Sequence, residues 1–350
     1  HLTILFFFAF ISTTSSAQVF QTHHESFVNE NHYSVAYPDN WNGDYFVIGT
    51  RNAESGIGYS KKTMIIKRID ITGGIIWESL LYTPDYEQNL FALHVDNSSW
   101  DNGDVTVVGF RSLGNTQRAV IFGVRGDGTV TEAKVLNSPG SSTIFLHAIS
   151  TYPSGPHPIT NADNDGAGWV AVGSQHPDNS ANKKGLIVRY TSIGVIAWIR
   201  NFNTLIGDNS TTDFDAINHV VEVPSVGFFL SGSGNYFSDD DGIYKQGALA
   251  MMLDFNGELK WSRIYSHSNY AHSTVAASAT YTADGELYQI ANGQGDSSFN
   301  ENGFSVHRIN PINGEFIGQG NNFNMNNKGL KAMTLRNHKN DPTVLMVSGF

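Results

Sequence analysis

The sequence predicts an all-β chain folded as a β-propeller, with four-stranded antiparallel blades of about 60 residues set round a common axis. Three observations carry this prediction. A short apolar run ending in glycine recurs six times, a glycine-bearing hairpin turn follows each of the first five copies, and a strand centred on alanine precedes them. The bulk composition agrees: 35 glycines in 350 residues, 12% aromatic and only 15% charged side chains suit short strands joined by tight turns.

The apolar run reads Tyr45-Phe-Val-Ile-Gly49, Val105-Thr-Val-Val-Gly109, Trp169-Val-Ala-Val-Gly173, Phe228-Phe-Leu-Ser-Gly232, Tyr288-Gln-Ile-Ala-Asn-Gly293 and Val344-Leu-Met-Val-Ser-Gly349. Its glycines step by 60, 64, 59, 61 and 56 residues. Regularity of this kind marks a repeat architecture. A stacked solenoid is the competing design, but its repeats run shorter, about 20–45 residues. The turns are Asp70-Ile-Thr-Gly73, Arg125-Gly-Asp-Gly128, Thr191-Ser-Ile-Gly194, Asp254-Phe-Asn-Gly257 and Asn310-Pro-Ile-Asn-Gly314. Asp and Asn brace such a bend through their side chains, and glycine accepts the positive φ that ends it. Trp77, Trp198 and Trp261 stand four residues after the turn glycine, where Glu132 and Gly318 stand in the other two copies. An indole there is expected to pack between neighbouring units. The alanine-centred strands are Leu90–Asp96, Ile144–Ser150, Phe214–Val223, Thr274–Thr282 and Leu330–Asn337, with Ala92, Ala148, Ala216, Ala277 and Ala332 aligned and 34–37 as the counterpart in the first copy. Small residues fit the innermost strand of a blade, where space near the axis is tightest. Four strands per period make a propeller blade.

The ends add expectations of their own. Leu2–Ile11 is an apolar run followed by small polar residues, and Ser15 and Ala17 match a signal-peptidase site that leaves Gln18 as the mature N-terminus. The run is too short to cross a bilayer, which takes roughly 20 residues. Residues 1–17 are therefore expected to be an N-terminally incomplete signal peptide, 18–32 an N-terminal strand able to close a blade, and 33–350 the propeller domain. Phe350 falls in the second strand of the sixth unit, so the expectation is five complete blades and part of a sixth, with six or seven in the intact protein. The mature chain is expected to be secreted or held at the cell surface without membrane insertion. The absence of cysteine excludes disulfides and thiolate metal sites. The net charge of −11 argues against nucleic acid.

On these landmarks the chain resembles the SBBP-type β-propeller repeat of secreted bacterial proteins, in which an aliphatic strand ends in glycine and an apolar strand ends in aspartate before a turn, a glycine and a tryptophan-bearing strand. Residues 247–291 match best, above all Ala250-Met-Met-Leu-Asp-Phe-Asn-Gly-Glu-Leu-Lys-Trp261, and the likeness covers roughly residues 33–350. A more distant likeness is to quinoprotein-type propellers, whose Asp-x-x-x-Gly turn precedes tryptophan by four. Only Asn310–Gly314 keeps that longer turn, without the tryptophan. The resemblance implies an architecture, not an activity.

Candidate sites are few. Asn161, Asp163 and Asp165 alternate before Gly166 like the opening of a calcium loop, but the twelfth position is Val172, which supplies no ligand. A plain turn is the simpler reading, and no cofactor is expected beyond this possible calcium. Asp239, Asp240 and Asp241 form a second acidic segment that reads as solvated. His94, His147 and His219 lie on innermost strands at +2, −1 and +3 from the alanine column. Side chains alternate along a strand, so these offsets predict that the imidazoles do not share one level, and a polar central channel accounts for them. Trp41, Trp100, Tyr236 and Phe237 are expected in loops, where they could stack on sugars or pack against blade edges. No nucleophile elbow, zinc-protease or phosphate-loop motif occurs. The expected function is a non-catalytic, adhesin-like binding or structural module for an extracellular glycan or protein, using its variable connections Tyr152–Gly168, Gln175–Lys184, Asn203–Asp213 and Gly234–Gln246. The alternative is an extracellular enzyme on the same scaffold, a polysaccharide hydrolase or lyase or a quinoprotein-like oxidoreductase.

Overall fold

The computed structural model describes residues 3–6, 30–36, 44–52, 62–70, 72–81, 89–97, 105–138, 140–151, 168–177, 183–191, 194–202, 216–238, 243–265, 273–282, 284–294, 303–318, 321–324, 332–338 and 341–349. Among them every regular element is a strand. After Thr3–Phe6 (β1), the first sheet runs Glu30–Ala36 (β2), Tyr45–Asn52 (β3), Lys62–Ile69 (β4) and Ile75–Leu81 (β5) in that order. The second comprises Asn89–Asn97 (β6), Val105–Leu113 (β7), Thr116–Val124 (β8) and Val130–Val135 (β9). The third comprises Ser141–Thr151 (β10), Gly168–Pro177 (β11), Lys184–Thr191 (β12) and Ile196–Phe202 (β13). The fourth holds Ala216–Val223 (β14), Gly227–Ser238 (β15), Ile243–Leu253 (β16) and Leu259–Tyr265 (β17), and the fifth Ser273–Tyr281 (β18), Leu287–Gln294 (β19), Gly303–Ile309 (β20) and Asn321–Asn324 (β21). A single parallel bridge, Gln246 to Ser273, joins these last two. Ala332–His338 (β22) and Asp341–Gly349 (β23) form the sixth hairpin. β1 lies parallel to β23, Thr3 opposite Val344 and Phe6 opposite Val347.

Within each of the first five sheets the strands alternate in direction, and each innermost strand packs on the next in chain order: β2 on β6, β6 on β10, β10 on β14, β14 on β18 and β18 on β22. The result is a propeller-like all-β succession of four-stranded antiparallel sheets. Burial follows from it. The third strands β4, β8, β12 and β20 are buried along most of their length, at successive positions and so on both faces. That is why they are apolar almost continuously rather than alternately. The outer strand β13 alternates between exposed and half-buried positions, as a strand with one wet face should.

The core is accordingly divided into layers between sheets. Phe46, Met64, Leu81, Val107, Val120 and Phe122 fill the first layer, and Val108, Ile121, Phe145, Ala171, Leu186 and Tyr190 the second. Val107 and Val108 are neighbours on one strand that serve opposite layers, which is the strand's two-residue period at work. Similar clusters join the third sheet to the fourth, the fourth to the fifth and the fifth to the sixth.

The turn glycines serve two purposes. Gly128, Gly257 and Gly314 have φ of 89°, 78° and 73°, a region that side-chain-bearing residues rarely adopt. They also sit on the preceding sheet's tryptophan. A Cβ on Gly128 would lie 3.0 Å from Trp77, one on Gly257 2.9 Å from Trp198, and one on Gly314 2.7 Å from Trp261. Each indole N–H donates to a carbonyl of the same turn: Trp77 to Gly126 (2.9 Å), Trp198 to Phe255 (3.2 Å) and Trp261 to Pro311 (3.0 Å). Two residues further on, Ser79, Arg200 and Arg263 donate to Gly128, Gly257 and Asn313. The tryptophan thus lies between units, as expected from the sequence. The turn residues brace the bend as well: Asp254 Oδ1 accepts from the N–H groups of Asn256 and Glu258.

Candidate functional site on the innermost strands

The innermost strand of every sheet carries a bulge opposite the small residue of the adjacent strand. Gly49, Gly109, Gly173, Gly232, Ala291 and Gly349 pair with His32, Ala92, Phe145, Ile217, Ala276 and Ala332. One extra residue follows on the bulged strand before pairing resumes. In the second, third and fourth sheets the bulge explains the glycine. A Cβ on Gly109 would stand 2.0 Å from the carbonyl oxygen of Phe91, one on Gly173 2.0 Å from that of Ile144, and one on Gly232 2.1 Å from that of Ala216. The backbone of the bulge occupies the space a side chain would need. Two sequence expectations are corrected here. In the fifth sheet the structural equivalent of the landmark is Ala291, not Gly293. The alanines also do not form one column, because Ala92 and Ala332 face the landmark while Phe145 and Ile217 do so in the third and fourth sheets.

Pairing resumes at Ser34, His94, His147, His219, Ser278 and Thr334, one polar residue per sheet at one register position. The three histidines therefore do share a level, contrary to the expectation drawn from linear spacing. Their rings are in contact, tilted against one another: His94 and His147 have centroids 4.0 Å apart with 31° between planes, and His147 and His219 are 3.7 Å apart at 36°. Equivalent positions also bond to the next sheet. The N–H of Val220 donates to His147 Nδ1 (3.4 Å), and the N–H of Leu335 donates to Ser278 Oγ (3.3 Å). Beside the column, the Asn218 side-chain amide donates to the carbonyl of Ala276 (2.9 Å), tying the fourth innermost strand to the fifth. His147 is buried and His94 and His219 are half-buried.

The electrostatic setting includes Glu222 on β14. Burial pushes its carboxyl up to about 7, opposed in part by the Arg189 guanidinium. A raised carboxyl pKa means that the folded state holds the proton more tightly than the unfolded chain. Its stabilising contribution is full below the ordinary carboxylate range and is lost as pH rises through about 7. Among the described residues, no group of three side chains is placed to hold a metal ion. The imidazoles face one another ring to ring rather than converging on a point, so the arrangement supports hydrogen bonding and ring contact between sheets. A hydroxyl–imidazole pair, Ser305 Oγ to His307 Nε2 at 2.6 Å, lies between the fourth and fifth sheets beneath Phe316, whose ring stacks on His307 at 4.6 Å. Ser305 is 1% exposed, which denies a substrate access to its hydroxyl.

Of the residues singled out in the sequence, Asn161, Asp163, Asp165, Trp41, Trp100 and Asp239–Asp241 lie outside the described residues. Tyr236 and Phe237 are not in a loop. They extend β15, opposite Lys245 and Tyr244 of β16, in a hairpin longer than that of the other sheets. Antiparallel order puts the connection from second to third strand, and the one leaving the fourth, at the end opposite the glycine turns. Gln175–Lys184, Asn203–Asp213 and Gly234–Gln246 are connections of these kinds, whereas Tyr152–Gly168 belongs to the end with the glycine turns. The column itself was missed because hairpin lengths differ between units. Its usable signal is local: a His, Ser or Thr flanked by apolar residues, as in Leu93-His94-Val95, Leu146-His147-Ala148 and Ala277-Ser278-Ala279.

No family model matches the chain, and no curated protein matches it. Among solved structures, a protein of unknown function from Bacteroides caccae is similar over 67% of this chain and 68% of its own, at 12% identity and a TM-score of 0.35. The periplasmic gluconolactonase of Pseudomonas aeruginosa is similar over 83% of this chain and 71% of its own, at 13% identity and a TM-score of 0.46. A mutant levansucrase of Bacillus subtilis is similar over 87% of this chain and 89% of its own, at 9% identity and a TM-score of 0.42.

Proposed function

We propose that the chain is a secreted or cell-surface module of the SBBP type that binds an extracellular glycan or protein without transforming it. In this reading the intact protein has six or seven blades, and its contact surface is the end that carries the longer connections. The apolar run and small-residue step of residues 1–17, read as an export signal, support that compartment. The observation that supports a non-catalytic role is the use made of polar groups on the innermost strands. His147, Asn218 and Ser278 bond to the innermost strand of the next sheet, and three imidazoles lie in contact with one another. These side chains hold sheets together rather than standing open to a substrate. The extended hairpin of β15 and β16 supports the choice of end, because it projects two aromatic positions, Tyr236 and Phe237, beyond the register shared with the other sheets.

The test is a screen of the purified chain against arrays of extracellular polysaccharides and matrix proteins, with reducing-end and chromatographic assays run on every polysaccharide. The expected result is saturable binding without turnover. Replacing Tyr236 and Phe237 together by alanine is expected to weaken it at least tenfold while the unfolding midpoint stays unchanged. Cleavage of a polysaccharide by the purified chain would contradict the reading.

A further inference from the structure

We infer that the contacting imidazoles of His94, His147 and His219 form a pH-sensitive joint that holds the second, third and fourth sheets together at neutral pH and loosens them on acidification. The inference does not depend on which ligand the protein binds. It rests on two geometric facts. The rings are 4.0 and 3.7 Å apart, centroid to centroid, so two adjacent imidazolium ions would place like charges in contact between packed strands, where screening is weak. His147 Nδ1 also accepts from the N–H of Val220 on the following sheet. That bond requires the nitrogen to be unprotonated, and protonation turns it into a donor facing a donor. Imidazole is the side chain that changes charge between about pH 5 and 8.

The fifth sheet carries its own control. Ser278 occupies the same register position and accepts the same bond, from the N–H of Leu335, but a hydroxyl does not titrate there. The joint is therefore confined to the sheets that carry histidine.

The charged side chains described on the neighbouring elements are mostly basic. Among the described side chains on the elements packed against these strands are Arg51 of β3, Lys67 and Arg68 of β4, Arg111 of β7, Arg118 of β8, His176 of β11 and Arg189 of β12. Arg51 and Lys67 face Glu78, and Arg68 is held by Asp44. Glu222 takes up a proton as pH falls through about 7, so it loses its negative charge over the range in which imidazoles gain positive charge. Its own contribution to stability runs in the opposite sense, rising as pH falls.

Hydrogen exchange read by mass spectrometry on the full chain at pH 7.5 and 5.0, corrected for the intrinsic exchange rate, tests the joint. In the wild type, protection of residues 141–151 and 216–223 is expected to fall at least tenfold at the lower pH, with residues 62–69 and 303–309 changing less than threefold. His147→Asn, whose Oδ1 can accept from Val220 without titrating, is expected to keep both segments within threefold. His147→Ser, patterned on Ser278, serves if the first variant does not fold. Glu222→Gln is expected to leave the loss in place and to deepen it. Unchanged protection in the wild type, loss spread evenly over all sheets, or a His147→Asn or His147→Ser variant that loosens as the wild type does would each overturn the proposal. If neither variant folds, the wild-type pattern decides.

Discussion

Replacing Gly173 by alanine is expected to destabilise the protein by about 3–5 kcal/mol, near the upper end for a single substitution. The new Cβ would stand 2.0 Å from the carbonyl oxygen of Ile144 and 3.0 Å from the Cα of Phe145. Both are backbone atoms of the bulge, so no flexible side chain can swing aside. Relief requires the bulge to open, which would move His147 out of the column, since His147 is the first residue to pair after it. Gly109→Ala and Gly232→Ala should behave alike, because the carbonyls of Phe91 and Ala216 lie as close. Ala291→Gly, at the equivalent place in the fifth sheet, removes only one methyl group and adds backbone freedom, and is expected to cost about 1 kcal/mol. Urea unfolding followed by tryptophan fluorescence separates the two classes. A Gly173→Ala variant within about 0.5 kcal/mol of the wild type would show that the bulge is not as tight as described.

Trp198→Ala is expected to cost about 2–4 kcal/mol, the lower part of the range for aromatic truncations because the indole is only partly buried. The substitution removes three things at once: the surface beneath Gly257, the bond to the Phe255 carbonyl at 3.2 Å and the packing on Phe228, whose ring centre lies 6.2 Å away. Trp198→Phe keeps part of the packing and loses the bond, and should cost about 1 kcal/mol less than the alanine variant. Ile199→Ala, one residue along on the exposed side of the same strand at 39% exposure, should change stability by less than about 0.5 kcal/mol. The same unfolding measurement checks all three. Equal losses at Trp198 and Ile199 would mean that the indole does not join the sheets.

The succession of sheets was legible because its markers are local. The turn glycines 73, 128, 194, 257 and 314 all take positive φ, and a polar residue three or four positions before the glycine, as in Asp70-Ile-Thr-Gly73 and Asp254-Phe-Asn-Gly257, states that requirement in the chain itself. The tryptophans were legible for the same reason, standing at a constant distance from their glycine. The histidine column was not, because its alignment depends on pairing across a hairpin. Between His94 and Gly109 lie 14 residues, between His147 and Gly173 25, and between His219 and Gly232 12. A count along the chain cannot see that all three histidines stand just beyond a bulge opposite a glycine. Aligning on alanine made matters worse, since Ala148 lies after the bulge and Ala216 before it. Tyr236 and Phe237 were placed in a loop for a related reason: nothing local shows that β15 and β16 keep pairing as far as Ser238 and Ile243.

The register of the innermost strands is the point on which fold, joint and function all turn, and contacts between imidazole rings report on it directly. In a protein labelled selectively at histidine, with His94→Asn, His147→Asn and His219→Asn used to assign the signals, nuclear Overhauser effects are expected between the rings of His94 and His147 and between those of His147 and His219. Both should vanish in His147→Asn. Signals from His147 that show no other imidazole within reach, while the protein is folded at neutral pH, would place the three histidines at different levels and contradict the account.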